Sequence, residues 1–333
     1  MLLWPYPTNA DDIRLATYTV ELDRKAPGIL LRDIQSGKDA QVRAVISQIT
    51  KVQPDILAIQ RFDWDLRQRA ATAFQGALND AGWAMPHAFA PRPNSGVQTG
   101  IDANANGRIG RSADTQGYGR FAGSRGMLIL SRFPIERSGI ISFTSTLWAD
   151  IPNSRSTDPA PLAALQRLSS VAHIQVPINI NGTTVQILSF HATPPVFDGP
   201  EDRNGRRNAD EIGFWTARLS DIPKPFVVLA NANTDPTDGQ GIKEGITALL
   251  THPAVQDPQQ RSIGATHDID PTHRGDPALD TVDWVTDKPG NMRVSYALPS
   301  IDLPIVDTGV AWSPLQDNAA SRHRMVWVDV ALP

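Results

Sequence analysis

Cysteine is absent from all 333 residues. That excludes disulfides, thiol nucleophiles and thiolate metal sites. It also leans the expectation toward an exported chain, because a cysteine-free protein is indifferent to an oxidising compartment. No apolar run approaches the roughly 18 residues of a membrane span, so no membrane partner is expected. The opening "MLLWPYPTNADD" has no basic n-region, and its apolar core is too short for a signal peptide. An excess of positive charge is missing too. Net charge is −4 and the pI is near 6.0, which disfavours nucleic acid as a partner or substrate in a chain without a basic stripe. No repeat or low-complexity linker divides the sequence. With 41% hydrophobic and 20% charged residues it has an ordinary globular balance, and a single domain over residues 10–333 is expected.

What is present alternates between short β-rich and helical stretches. "RLATYTVEL" (14–22) alternates in polarity and predicts a strand. Val42, Val45, Ile46 and Ile49 recur at helical spacing and predict a helix over 39–53. "PDILAIQRF" (54–62) predicts a strand, and 66–82 a helix closing on Gly82. Further strands are expected at 126–135, 185–192, 224–233, 291–300 and 323–332, and a helix at 205–222. Residues 136–184 and 252–290 are rich in Pro, Gly, Asp and Ser and are expected to be loops and hairpins. The pattern suits a layered α/β sandwich whose strand tips meet at one face.

Those tips carry the chemistry. Thr19 lies in the first strand, Arg61 ends the second, and His191 ends "QILSFH". Asn231 and Asn233 end "VVLANAN", Ser295 lies in "RVSYALPS", and Arg322 and His323 open the last strand. With "GYGRFAGSRGMLILSRFPI" and "HATPPVFDGPEDRNGRRNADEI", these segments resemble, in order, the endonuclease/exonuclease/phosphatase family related to DNase I. The resemblance implies a four-layered α/β sandwich, two packed β-sheets flanked by helices. It also implies a phosphoester hydrolase, phosphatase or phosphodiesterase, that uses a divalent metal such as Mg²⁺.

The departures are concentrated at the tips. The family's pattern has Asn at 19, Glu at 61, and Asp at 231, 295 and 322; this chain has Thr, Arg, Asn, Ser and Arg. His191, Asn233 and His323 retain the family's residues and are the candidate catalytic groups. Four carboxylates (−4) at 61, 231, 295 and 322 give way to two guanidinium and two neutral side chains (+2). Mg²⁺ takes oxygen ligands and leans on carboxylates, whereas a guanidinium is permanently charged and repels a dication. The expectation is metal-dependent hydrolysis weak or lost, with Mg²⁺ doubtful. The alternative is a pseudoenzyme that binds a small phosphate-bearing ligand or a protein partner. In that case Arg61 and Arg322 would grip the phosphate, and binding would fall above the ordinary histidine pKa. Against this stands the plainer reading that Arg61 and Arg322 are simply surface or salt-bridged arginines, with Asp63 and Asp65, nearby in sequence, able to neutralise Arg61.

Arg203, Asn208, Tyr118 and Arg120 are expected to line the cleft, because the family carries similar residues around its site. Separately, "DANANGRIG" sets side-chain oxygens of Asp102, Asn104 and Asn106 at alternate positions before Gly107, as a calcium loop does. Asp114 would stand in for the missing twelfth-position Glu. The expectation there is a weak Ca²⁺ site, set against a turn that holds no metal.

Overall fold

The computed structural model describes residues 12–267, 269–284, 289–313 and 318–332. Two mixed β-sheets face each other. The first runs β10 (Ile305–Val310), β11 (Val326–Ala331), β1 (Asp12–Leu22), β2 (Ile56–Phe62), β4 (Gly126–Ser131), β3 (His87–Phe89). The second runs β5 (Ile141–Ser142), β6 (His173–Ile180), β7 (Thr183–His191), β8 (Phe226–Asn231), β9 (Ser295–Pro299). β1 pairs parallel with β2, and β7 with β8; the remaining pairs are antiparallel.

The central strands are covered on both faces, which is why they read as nearly continuous apolar runs. Between the sheets, Leu15, Ile56, Ala58 and Ile129 pack in one cluster with Ile174, Val176, Ile187, Val227 and Leu229. On the outer face of the first sheet, α1 (Ile29–Ser36), α2 (Ala40–Val52) and α3 (Arg69–Asp80) bury Leu30, Ile34, Val45, Ile49, Phe74 and Leu78 against Tyr18, Val20, Leu57 and Ile59. Asp39 caps α2 through the N–H of Val42 at 2.8 Å, and Asp65 takes three N–H groups at the start of α3. A short turn, α4 (Ala160–Ala163), lies between β5 and β6. On the outer face of the second sheet, α5 (Arg203–Thr216) and α6 (Lys243–Leu250) bury Ile212, Trp215, Ile246 and Leu249 against Leu188, Phe190, Val228 and Ala230. Each fully buried side chain of this kind contributes about 1.5–3 kcal/mol. Helix, sheet, sheet, helix is the expected four-layered sandwich.

Residues 136–184 hold loops and the first arm of a hairpin, β6, which pairs with β7 and crosses the core. Its run "HIQVPINI" carries Pro177, which argues against a strand. The edge strand β5 is only two residues long and pairs with Ile174 and Gln175, so Pro177 lies beyond it, where a missing ladder donor is tolerated. α1, α6 and β10 also lie outside the sequence expectations.

Candidate functional site

The strand tips converge as expected. Across the second sheet, His191 pairs with Asn231 and Asn231 with Ser295, so the three stand in one row. The Nδ2 of Asn231 donates to Thr19 Oγ1 at 2.9 Å, joining that row to β1 of the first sheet. Thr19 in turn donates to Gln60, which donates to Thr17. Asn231 Oδ1 accepts the N–H of Asn233 at 2.8 Å, and Asn233 Nδ2 donates to Ala192 O at 2.7 Å. Asn233 has φ of 52°, a left-handed conformation that asparagine tolerates. The two carboxamides therefore close the turn after β8 and clamp it to the exit of β7.

Beside this neutral network lies a charged ribbon. The β1–β2 register shifts between Thr19 and Leu22, and the β2–β4 register shifts at Arg61. Both Glu21 (φ 53°) and Arg61 (φ 58°) are left-handed at this bulge. Arg61 Nη1 meets Glu21 at 2.7 Å, while Nε and Nη2 fork onto Asp23 at 2.9 and 2.7 Å. Arg322 Nη2 meets the same Glu21 at 2.5 Å, and Arg125 meets Asp23 at 3.3 Å. Burial alone would raise the Glu21 pKa, but the hydrogen bonds of Arg322 and the charge of Arg61 outweigh it. They hold the carboxyl well below its usual range. Asp63 and Asp65 do not neutralise Arg61. Asp63 accepts the N–H groups of Arg24 and Arg125, and Asp65 caps α3.

The histidines are buried and neutral. His191 and His323 are 7% and 3% exposed. Neither Nδ1 has a hydrogen-bond partner, and neither does Ser295 Oγ. Burial, followed by the charges of Arg61 and Arg125, holds His191 well below 6.5. Burial pushes His323 down to about 3; Glu21 opposes this, and Arg61, Arg322 and Arg324 reinforce it. The expected change in charge near pH 6.5 therefore does not arise at this pair. Trp284 lies edge-on to His323, with ring centroids 6.0 Å apart.

The other candidate residues are placed differently. Arg203 pairs with Asp158 at 2.6 and 2.8 Å, donates to Gln166 and lies over Trp148. Asn208 is fully buried. It donates to Thr193 O and Ala232 O and accepts from Thr234, so it ties the exits of β7 and β8 together rather than facing a ligand. Tyr118 is exposed, with the Arg125 guanidinium 5.3 Å from its ring centre, which puts it at the end of the ribbon. Arg120 is exposed. In the 102–114 loop, Asp102 accepts the N–H groups of Asn106 and Gly107, Asn106 Oδ1 accepts that of Arg108, and Asp114 accepts those of Ala103 and Arg111. Backbone donors thus meet Asp102, Asn106 and Asp114, three of the four residues proposed for Ca²⁺. Among the described residues no group of three or more His, Asp or Glu is arranged to hold a metal ion, and no helix is long and apolar enough to cross a membrane.

Glu21, Asp23 and Arg125 were not foreseen as site residues. A signal for the first two was present: Thr19, Glu21 and Asp23 recur with the period of two that sets side chains on one face of a strand.

The sequence pattern of the endonuclease/exonuclease/phosphatase family matches residues 34–323, which include every tip position above except Thr19. No curated protein matches the chain. Among solved structures the fold is similar to an endonuclease/exonuclease/phosphatase from Beutenbergia cavernae DSM 12333. The identity is 15% and the TM-score 0.59, over 97% of this chain and 72% of that one. It is similar also to one from Bacteroides vulgatus, at 12% identity and TM-score 0.55, over 97% and 99%. A 3′ phosphatase from Neisseria, bound to a product DNA hairpin, is similar at 14% identity and TM-score 0.51, over 95% and 98%. Identities of this size speak to the fold. The family match covers most of the sequence, and the chain belongs to the endonuclease/exonuclease/phosphatase family.

Proposed function

We propose that this protein is a phosphoester hydrolase by descent, one domain over residues 10–333, whose metal-dependent turnover is weak or lost. The observation that carries the reading is Arg61. Its guanidinium stands at the tip of β2 where the resemblance places a metal-binding Glu, and the nearest carboxylates, Glu21 and Asp23, are both committed to it. A divalent cation does not fit this donor set. Glu21 is shared by Arg61 and Arg322, Asp23 by Arg61 and Arg125, and the remaining tips offer two carboxamides, two hydroxyls and two imidazoles. The histidines have no carboxylate to orient them or to stabilise an imidazolium, so general acid–base work at neutral pH is poorly supported.

A second reading is favoured by the three unpartnered atoms, Nδ1 of His191, Nδ1 of His323 and Oγ of Ser295. Buried polar groups without partners are rare and call for an explanation. A small phosphate-bearing ligand would satisfy them without a metal, with Arg61 and Arg322 as the cations.

The test is hydrolysis of a chromogenic phosphomonoester and phosphodiester under Mg²⁺ or Mn²⁺ titration. It compares the parent with the combined variant Arg61→Glu, Asn231→Asp, Ser295→Asp, Arg322→Asp. The parent is expected to be at least a hundredfold slower than the variant. Metal-dependent turnover by the parent at the variant's rate would overturn the reading.

A further inference from the structure

Glu21 already occupies the groups an oxyanion would use. Its carboxylate accepts from Arg61 Nη1 at 2.7 Å and Arg322 Nη2 at 2.5 Å, and from the Arg322 N–H at 3.0 Å. Two guanidinium groups and a backbone N–H make a donor set that suits a phosphate. Asp23 takes the remaining edge of Arg61, through Nε and Nη2. Three arginines (Arg61, Arg125, Arg322) against two carboxylates (Glu21, Asp23) leave the ribbon at +1.

The second observation is independent of the ribbon's own bonds. His191 Nδ1, His323 Nδ1 and Ser295 Oγ belong to side chains more than nine-tenths buried, and none of these atoms has a partner. The two imidazoles feel the ribbon directly: His191 senses Arg61 and Arg125, and His323 senses Glu21, Arg61 and Arg322. Geometry brings the two groups together: His323 follows Arg322 in the chain, and Asn231, in one row with His191 and Ser295, bonds Thr19 two residues before Glu21.

Resting on the phosphate-binding reading above, we propose that Glu21 is a resident anion that masks a metal-free oxyanion site. An incoming phosphate monoester displaces its carboxylate from Arg61 and Arg322 and is completed by His191, His323 and Ser295. No bond is made or broken; one anion replaces another on the same guanidinium groups. Glu21 sits at the bulge with a left-handed backbone, a conformation that glutamate rarely adopts. Removing its charge takes away the competitor and raises the ribbon from +1 to +2.

The experiment is calorimetric titration with inorganic phosphate in EDTA, on the parent, Glu21→Gln, and Glu21→Gln combined with Arg61→Ala. Glu21→Gln is expected to bind at least tenfold more tightly than the parent, and the double variant is expected to lose that gain. If the parent binds phosphate and Glu21→Gln binds no better, the masking is wrong while the phosphate reading survives. If neither binds at tens of millimolar, both fail. Should Glu21→Gln not fold, Asp23→Asn frees Arg61 Nε and Nη2 with Glu21 intact. The same tightening, smaller in size, is then expected, and its absence would overturn the proposal.

Discussion

Two polar clusters flank the end of β7, and they are built on opposite terms. Under α5, Glu211, Arg207 and Asn208 are matched to the backbone, although Trp215 Nε1 has no partner. Glu211, fully buried, accepts the N–H groups of Ser170 and Thr193 at 2.5 and 2.6 Å. Arg207 donates to three carbonyls, of Leu168, Gln116 and Arg167, and Asn208 is saturated between Thr193, Ala232 and Thr234. At the strand tips, charges are matched to other charges, and three buried polar atoms are matched to nothing. The first cluster is finished without a ligand and is scaffold: through Thr193 it fixes the segment that follows His191. The second is left incomplete, which the proposed anion site would explain.

The sharpest way to break the contrast is in the scaffold. Glu211→Ala leaves the buried N–H groups of Ser170 and Thr193 without acceptors and is expected to destabilise the fold by about 3–5 kcal/mol. Urea unfolding measures it, and a loss under about 1 kcal/mol would contradict the scaffold role. Next comes pH at the tips. His323 is held near 3 when folded and titrates near 6.5 when unfolded. The unfolded chain therefore binds the extra proton first as pH falls. Stability from this residue is full above pH 6.5 and declines between there and about 3, amounting to about 2 kcal/mol between pH 7.5 and 5. His323→Gln should remove that part of the slope in melting temperature against pH; an unchanged slope would show that His323 is not held neutral. The smallest effect is expected in the 102–114 loop, which is matched like the scaffold. Asp102→Ala should cost about 1 kcal/mol through the lost acceptor for Asn106 and Gly107. Calcium at ten millimolar should leave the parent's melting temperature unchanged; a rise would mean that the ion competes successfully with those backbone donors.

The layered sandwich, the set of strand tips and the reversal of charge at positions 61 and 322 were all legible in the amino-acid order. The reason is that buried strands read as apolar runs and that "VVLANAN" and "SRHRMVWV" carry their polar residues at fixed places along those runs. β6 was not legible, because Pro177 breaks the local signal and only the company of β7 makes that segment a strand. The partners of Arg61 were not legible either. Sequence proximity favoured Asp63 and Asp65, but the bulges at Glu21 and Arg61 bring β1 and β2 together so that Glu21 and Asp23 receive the guanidinium. Residue type and order determined which charges the tips carry. Which charges meet, and which polar atoms remain unmatched, was decided by strand pairing across two sheets, since pairing distance is set by register and bulge rather than by separation along the chain.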